Sequence, residues 1–483
     1  MSVENGLFWL PHLPNVTVSG RLIVDSDGAT HVELLGSITP EYEVVSHDET
    51  TGEFTTVPAK DPADFIIHGL VADTPRAVSL LECRTSRRTT THAAAGVLEQ
   101  QTVRAGRLLR GHHLTAADRF TGLRLRVAGI DAWAALPDAI VTRGEDGRLE
   151  VVLEPLTVTK VETTCGAELT LNVRSAWRQS GGRTSTERET WIQLTKISER
   201  AYRQVDAEYI NAILSFLGLA IGKSVPLSAV QVLHGTTWVT VIHPGITDGP
   251  ATAVTSHDVI LPLAYTGLSA VSAFLDVYRL VGPAAPITRD ALSNQRKTTI
   301  DTQILELTTV AEGLHRRLYP QQERMSKEDA KRIRSLIADA LKHETEPRYV
   351  DVAKGTVLGF LNEPNYKSRL EHLSNEATTA TPGLFGNQQQ WIKRVYEARN
   401  SFAHRTSGFI DETQIDEMYA ISESLTWMFW CLLLLRSKIA PETIRERIAQ
   451  HQPYQYFLRN ARETVPSIYA TEPDLIDNVS EAP

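Results

Sequence analysis

Trp391-Ile-Lys-Arg-Val-Tyr-Glu-Ala-Arg399-Asn400-Ser-Phe-Ala-His404-Arg405 decides how the C-terminal half of this chain is read. Trp391, Val395, Ala398 and Phe402 recur at the spacing of one helical face, the stripe by which a helix packs on a core. Off that stripe sit Lys393, Arg394, Arg399, Asn400, His404 and Arg405, with Glu397 the only acid among them. The stretch therefore predicts a helix over 387–404 with a cationic outer surface.

A neutral-range base beside such cations is what RNA cleavage without a metal requires. Histidine can take a proton from a 2′-hydroxyl because its pKa lies close to ambient pH. Arginine can hold the non-bridging oxygens as charge builds on phosphorus, and asparagine can orient either group. Geometry sets a condition. Residues five apart, such as Arg399 and His404, diverge by about 140° around a straight helix, whereas Asn400 and His404 share a face. The arginine joins the other two only if the helix ends or bends here, or if a second subunit completes the site. The residues alone are equally compatible with a helix-end cluster whose cations favour the negative end of the helix dipole.

Outward from this stretch, helical periodicity runs in both directions. It predicts helices over 265–281, 300–318, 326–343, 350–362, 366–376, 413–437 and 441–463. Trp427 to Leu435 is the longest apolar run, about half of what a helix needs to cross a bilayer, and reads as a buried helix. The N-terminal region speaks instead in period two. Val16–Val24 and His31–Leu35 flank Asp25-Ser-Asp-Gly28, and Leu169–Trp177 and Thr190–Leu194 flank Gly181-Gly182. Phe65–Leu70, Ala77–Leu81, Leu123–Val127 and Leu149–Leu153 add further strands. The fold class is thus α+β, a β-rich antiparallel N-terminal region followed by an all-α bundle. The divisions expected are a β-rich sensor or regulatory domain over 1–205, a mixed, mainly helical continuation and linker over 206–290, a helical domain over 291–445, and a C-terminal helix and tail over 446–483.

A chain of 483 residues with a net charge of −9 and three cysteines excludes a disulfide scaffold and a protein that coats nucleic acid by bulk charge. The N-terminal residues lack a signal-peptide pattern, so the expectation is a cytoplasmic chain with no membrane partner. Charge is unevenly spread. Between residues 84 and 126 nine arginines, Arg84, Arg87, Arg88, Arg104 and Arg107 first among them, face only Glu99 and Asp118. This +7 stretch is a candidate surface for RNA or another anion. The bland reading is a solvated sheet face balanced by acids elsewhere.

Two other motifs fail. Gly218-Leu-Ala-Ile-Gly222-Lys223-Ser224 has three residues between its glycines where a phosphate loop needs four, and it closes a helix rather than opening one. His112-His113 are adjacent and have no zinc-type spacing around them, so no metal or other cofactor is expected.

Arg399-Asn400-Ser-Phe-Ala-His404 fits the R-x4–6-H motif of HEPN domains, including the polar residue after the arginine. Leu305-Glu306 and Ala311-Glu312-Gly-Leu-His315 resemble the opening helix of the Apea-like branch, and 413–437 resembles its closing helix. Leu7-Phe-Trp-Leu-Pro11, Val18-Ser-Gly-Arg-Leu22 and Val32-Glu-Leu-Leu-Gly-Ser37 are similar to the β-rich N-terminal domain of ApeA-type anti-phage proteins. The resemblance implies a bacterial abortive-infection effector that cuts RNA without metal and leaves a 2′,3′-cyclic phosphate and a 5′-hydroxyl. It implies Arg399 and His404 as the catalytic pair, Asn400 as polar helper, and a site formed where two HEPN domains of a homodimer meet. The β-rich region would sense a phage-derived trigger or bind RNA, transfer RNA included by analogy with related toxins. Some HEPN domains only mediate dimerisation or bind partners, and a non-catalytic sensor or adaptor is the alternative.

Overall fold

The structure is a computed structural model. It describes residues 1–39, 42–47, 54–58, 64–74, 76–93, 96–135, 140–143, 145–146, 149–152, 160–180, 183–246, 254–293, 298–404 and 412–470. The chain divides into two compact units, Met1–Ile221 with Val225–Ser272, and Gly222–Ser224 with Ala273–Pro483. The fold class is α+β, a β-rich antiparallel N-terminal region containing a barrel, followed by a helical C-terminal region.

The first strands are β1 (Ser2–Trp9), β2 (Val18–Val24), β3 (Thr30–Leu35), β4 (Tyr42–His47), β5 (Phe54–Pro58) and β6 (Phe65–Val71). Then follow β7 (Ala77–Ala93), β8 (Gly96–Ala105), β9 (Arg107–Arg110), β10 (Phe120–Val127), β11 (Ile140–Arg143) and β12 (Leu149–Val152). The set ends with β13 (Lys160–Glu162), β14 (Glu168–Ser180), β15 (Arg183–Arg200), β16 (Leu227–His234) and β17 (Thr237–Ile242). Thirteen of these form one sheet, in the order β13-β14-β15-β10-β16-β17-β9-β7-β6-β1-β2-β3-β8. Because β8 pairs with both β3 and β7, the strands β1, β2, β3, β8, β7 and β6 close into a six-stranded barrel.

The barrel is filled by Phe8, Leu22, Val32, Leu34, Ile67, Val78, Leu80 and Val103. Each is contributed by the alternate residues of its strand, as a period-two pattern demands. The β2–β3 turn is closed by the Asp25 N–H donating to the Ala29 carbonyl at 2.8 Å. Gly28 sits there with φ 83°, and a Cβ would fall 2.2 Å from the His243 carbonyl oxygen, so only glycine fits. Beyond β9 the sheet continues through β17, β16, β10, β15 and β14, with Leu123, Leu125, Ile192, Val230 and Val241 buried on one face. The short helix Ile130–Ala134 lies against β15 and sets Trp133 edge-on to Phe216. Gly218 is buried inside the helix Asn211–Ile221, and Gly222, with φ 82°, ends it. This is helix punctuation, as read from the sequence.

In the second unit the helices Ile300–Leu318, Tyr366–Thr378, Gln388–His404 and Glu412–Arg436 pack on one another. Trp391, Val395 and Ala398 are buried as their spacing predicts, and Phe402 is half-buried. Trp391 Nε1 donates to Ser424 Oγ at 2.8 Å across that interface. The segment Gln414–Arg436 is long and apolar enough to cross a membrane, but its apolar window is 83% buried inside the protein, as in a core helix. The helix expected over 441–463 is two helices, Pro441–Ala449 and Gln452–Thr464. Pro453 explains the break, since it lacks the N–H that an interior position must donate and is at ease in a first turn.

Candidate active site

Arg399 and Asn400 lie in the last turns of the helix Gln388–His404, both half-buried. Arg399 Nη2 donates to Glu312 Oε2 at 2.8 Å. Its guanidinium also lies over the Tyr366 ring, 4.3 Å from the centroid. Tyr366 is fixed in turn, its hydroxyl donating to the Thr308 carbonyl at 3.1 Å. Two restraints from two other helices therefore aim this arginine, one charge-assisted and one through the ring face. Glu312 also pairs with Arg316 at 3.2 Å, so one carboxylate serves two cations.

The helix is continuous through His404, so the backbone directions at Arg399 and His404 diverge by about 140°. The side chain of His404 and all of Arg405 lie outside the described residues. Lys393 and Arg394 are exposed and share Glu397, at 4.0 Å and 3.3 Å, and Arg394 also approaches Glu417 at 3.7 Å. The cationic surface of this helix is therefore partly neutralised by its own acid.

One turn away, a second polar cluster joins the helices Ile300–Leu318 and Tyr366–Thr378. His315 Nε2 lies 2.9 Å from His372 Nδ1 with the rings stacked. The Tyr319 hydroxyl donates to Glu376, which also receives Arg436 Nε at 2.8 Å. Burial, reinforced by Arg369, His372 and Arg316, pushes the His315 pKa down to about 4.

In the β-rich unit the arginines read as one basic stretch occupy different settings. Arg84 pairs with Asp64 at 3.0 Å and stands opposite Arg104 across β7 and β8. Arg88 Nη2 donates to the Thr39 hydroxyl at 2.8 Å. Arg107 is held by Glu82 at 2.6 Å and lies over the Tyr202 ring. Arg87 and Arg104 are exposed, with no carboxylate partner among the described residues. Arg87 lines a cavity of about 670 Å³ together with Arg21, Glu33 and Gln101.

Among the described residues no group of three or more His, Cys, Asp or Glu side chains is arranged to hold a metal ion. His113 stacks on His68 instead, and its Nε2 lies 3.1 Å from the Gly69 carbonyl oxygen. Glu312 and Tyr366, which hold Arg399, were not assigned from sequence. Glu312 stood in the stretch that resembles the opening helix, but its partner lies 87 residues away.

Comparison with protein families gives two matches. The model of ApeA N-terminal domain 1 matches residues 4–264, and that of the Apea-like HEPN domain matches residues 305–443. No curated protein and no solved structure matches the chain.

Proposed function

Because the chain belongs to the ApeA family, with ApeA N-terminal domain 1 joined to an Apea-like HEPN domain, we propose that it is a metal-independent endoribonuclease of an abortive-infection system against phage. An HEPN domain of this type supports a nuclease-like role in ApeA-type defence. The observation that carries the finer reading is Arg399, aimed by Glu312 and Tyr366 on the helix that ends at His404.

In the proposed reaction His404 takes the proton of a 2′-hydroxyl, and the freed oxygen attacks the adjacent phosphorus. Arg399 holds the non-bridging oxygens while the 5′-oxygen departs and takes a proton from water, and His404 returns its own proton to solvent. The products are a 2′,3′-cyclic phosphate and a 5′-hydroxyl. Asn400, which shares the face of His404, orients the base or the phosphate. The divergence of Arg399 and His404 on a continuous helix favours a composite site, in which each copy of a homodimer supplies one of the two. Lys393, Arg394 and Arg405 would steer the RNA strand, with the exposed Arg84, Arg87 and Arg104 among the cations on the β-rich side. Transfer RNA is the substrate by analogy, a phage product the trigger, and the bacterial cytoplasm the setting. RNA cleavage in excess EDTA, compared between the natural protein and His404→Ala, tests this reading.

A further inference from the structure

The β-rich unit contains a buried cation that the cleavage reading does not use. Strand registers align Gln193 of β15, Arg124 of β10, Gln231 of β16 and Thr240 of β17 in one row across the sheet. Directly opposed residues share a face, and so do residues two apart on one strand. Trp191 and Trp238 therefore join this row, as does Arg174 of β14, which lies opposite Glu189. The apolar residues Leu123, Leu125, Ile192 and Val230 occupy the other face. One side of the sheet is thus core, and the other is a platform of arginine, glutamine and tryptophan.

Arg124 sits between the two indoles, its guanidinium 5.3 Å from the Trp191 centroid and 4.6 Å from that of Trp238. Its Nε donates to Gln231 Oε1 at 2.5 Å, and the Gln231 amide donates to Thr240 Oγ1 at 3.0 Å. The residue is only 8% exposed. Neighbouring arginines on this face have acids: Arg110 is bonded to Glu4, and Arg126 pairs with Glu189 at 3.5 Å. Among the described residues Arg124 has no such carboxylate. Burial lowers its pKa below the ordinary arginine range, Arg174 adds to that, and Glu189 opposes it.

A guanidinium taken out of water without a counter-ion is costly, and the ring faces recover only part of that cost. Of its five N–H donors, Gln231 uses one. An anion arriving at the free edge of the fork would supply what the protein withholds. The flanking indoles and side-chain amides narrow the class. Indole surface stacks on a nucleobase, and Gln193 presents the donor and acceptor pair that reads a base edge, features an acidic peptide does not need. We propose that Trp191, Arg124 and Trp238, with Arg174 beside them, form a nucleotide-binding site, the phosphate ester held by the two arginines and the base stacked on the half-buried indole of Trp238, while the buried Trp191 backs Arg124. The inference deepens the reading of the β-rich region as an RNA-binding part, and it requires no cleavage by the helical unit.

The test is binding by the full-length protein of a labelled 2′-O-methyl oligonucleotide of about eight residues, a strand that cannot be cut by 2′-hydroxyl attack. Arg174→Gln changes an exposed side chain, and Arg124→Lys keeps the charge while losing the planar fork. Each is expected to weaken binding about tenfold, and Arg174→Gln to lower the salt slope by about one. Competition by uridine monophosphate identifies a single-nucleotide site, whereas competition by unlabelled strand alone identifies a strand site. Absent binding, equal affinity of both variants and the natural protein, or equal competition by polyglutamate would overturn the inference. Cleavage of ordinary RNA is scored separately, so loss of this site with cleavage retained leaves the proposed activity standing.

Discussion

Arg399 and Glu312 meet at 2.8 Å although 87 residues separate them in sequence, and Tyr366 closes the other side of the same guanidinium. An arginine restrained in this way is ready to receive charge rather than needing to be ordered by its substrate. Glu312→Gln keeps the size of the side chain but removes the charge that holds the fork. Its expected effect is a fall in kcat of about tenfold or more with little change in KM. Because both partners are about 30% exposed, stability should change by less than about 1 kcal/mol. Single-turnover cleavage together with urea unfolding measures both, and a variant as active as the natural protein would remove Glu312 from the site.

His315 gives the helical unit a calculable response to acid. It is 1% exposed, with its pKa pushed down to about 4 chiefly by burial. His372 and Arg369 face it from the neighbouring helix and Arg316 from its own, while Tyr319 stacks on its ring and itself contacts Glu376 and Arg436. An unfolded histidine gains its proton near pH 6.5, whereas the folded one does not until about pH 4. Stability is therefore full above about pH 6.5 and is lost as pH falls toward 4. Between pH 7 and pH 5 the natural protein should lose about 2 kcal/mol more than His315→Gln. Urea midpoints at the two pH values decide this, and identical losses would contradict it.

Ser424 accepts the indole N–H of Trp391 at 2.8 Å, and both side chains are fully buried. Ser424→Ala would leave that donor without its acceptor, at a cost of about 1–3 kcal/mol. Thermal unfolding of the variant reads the effect directly. An unchanged midpoint would show that the indole finds another acceptor.

Local patterns carried much of this architecture. The Trp391, Val395 and Ala398 stripe and the helix Ile300–Leu318 follow from apolar spacing, and β14 with β15 follows from alternation around Gly181-Gly182. Alternation around turns points to an antiparallel sandwich or barrel, but not to the strand that closes it, because the closing hairpin is nearly polar on both faces. Arg84-Thr-Ser-Arg-Arg-Thr-Thr-Thr91 favours a strand through its threonines but carries no apolar alternation, so β7 was expected to stop at Leu81. Charge was harder still to read. The stretch from Arg84 to Arg126 is basic by count, yet Asp64, Glu82, Glu4 and Glu189 answer four of its arginines from other parts of the chain. Such long-range pairing has no local signature, and the same holds for Glu312 beside Arg399. Conversely, the sandwiching of Arg124 by Trp191 and Trp238 needs three strands brought together by the sheet, so spacing alone cannot reveal it.

The account stands or falls on Arg399 and His404 acting together on RNA. The most direct measurement is cleavage of total cellular RNA by purified protein in excess EDTA, with the new ends mapped chemically. The account predicts fragments ending in a 2′,3′-cyclic phosphate and a 5′-hydroxyl from the natural protein. It predicts none from Arg399→Ala or His404→Ala, each folded by circular dichroism, and restored cutting when the two variants are mixed to form hybrid dimers. Equal cutting by the natural protein and His404→Ala would contradict it.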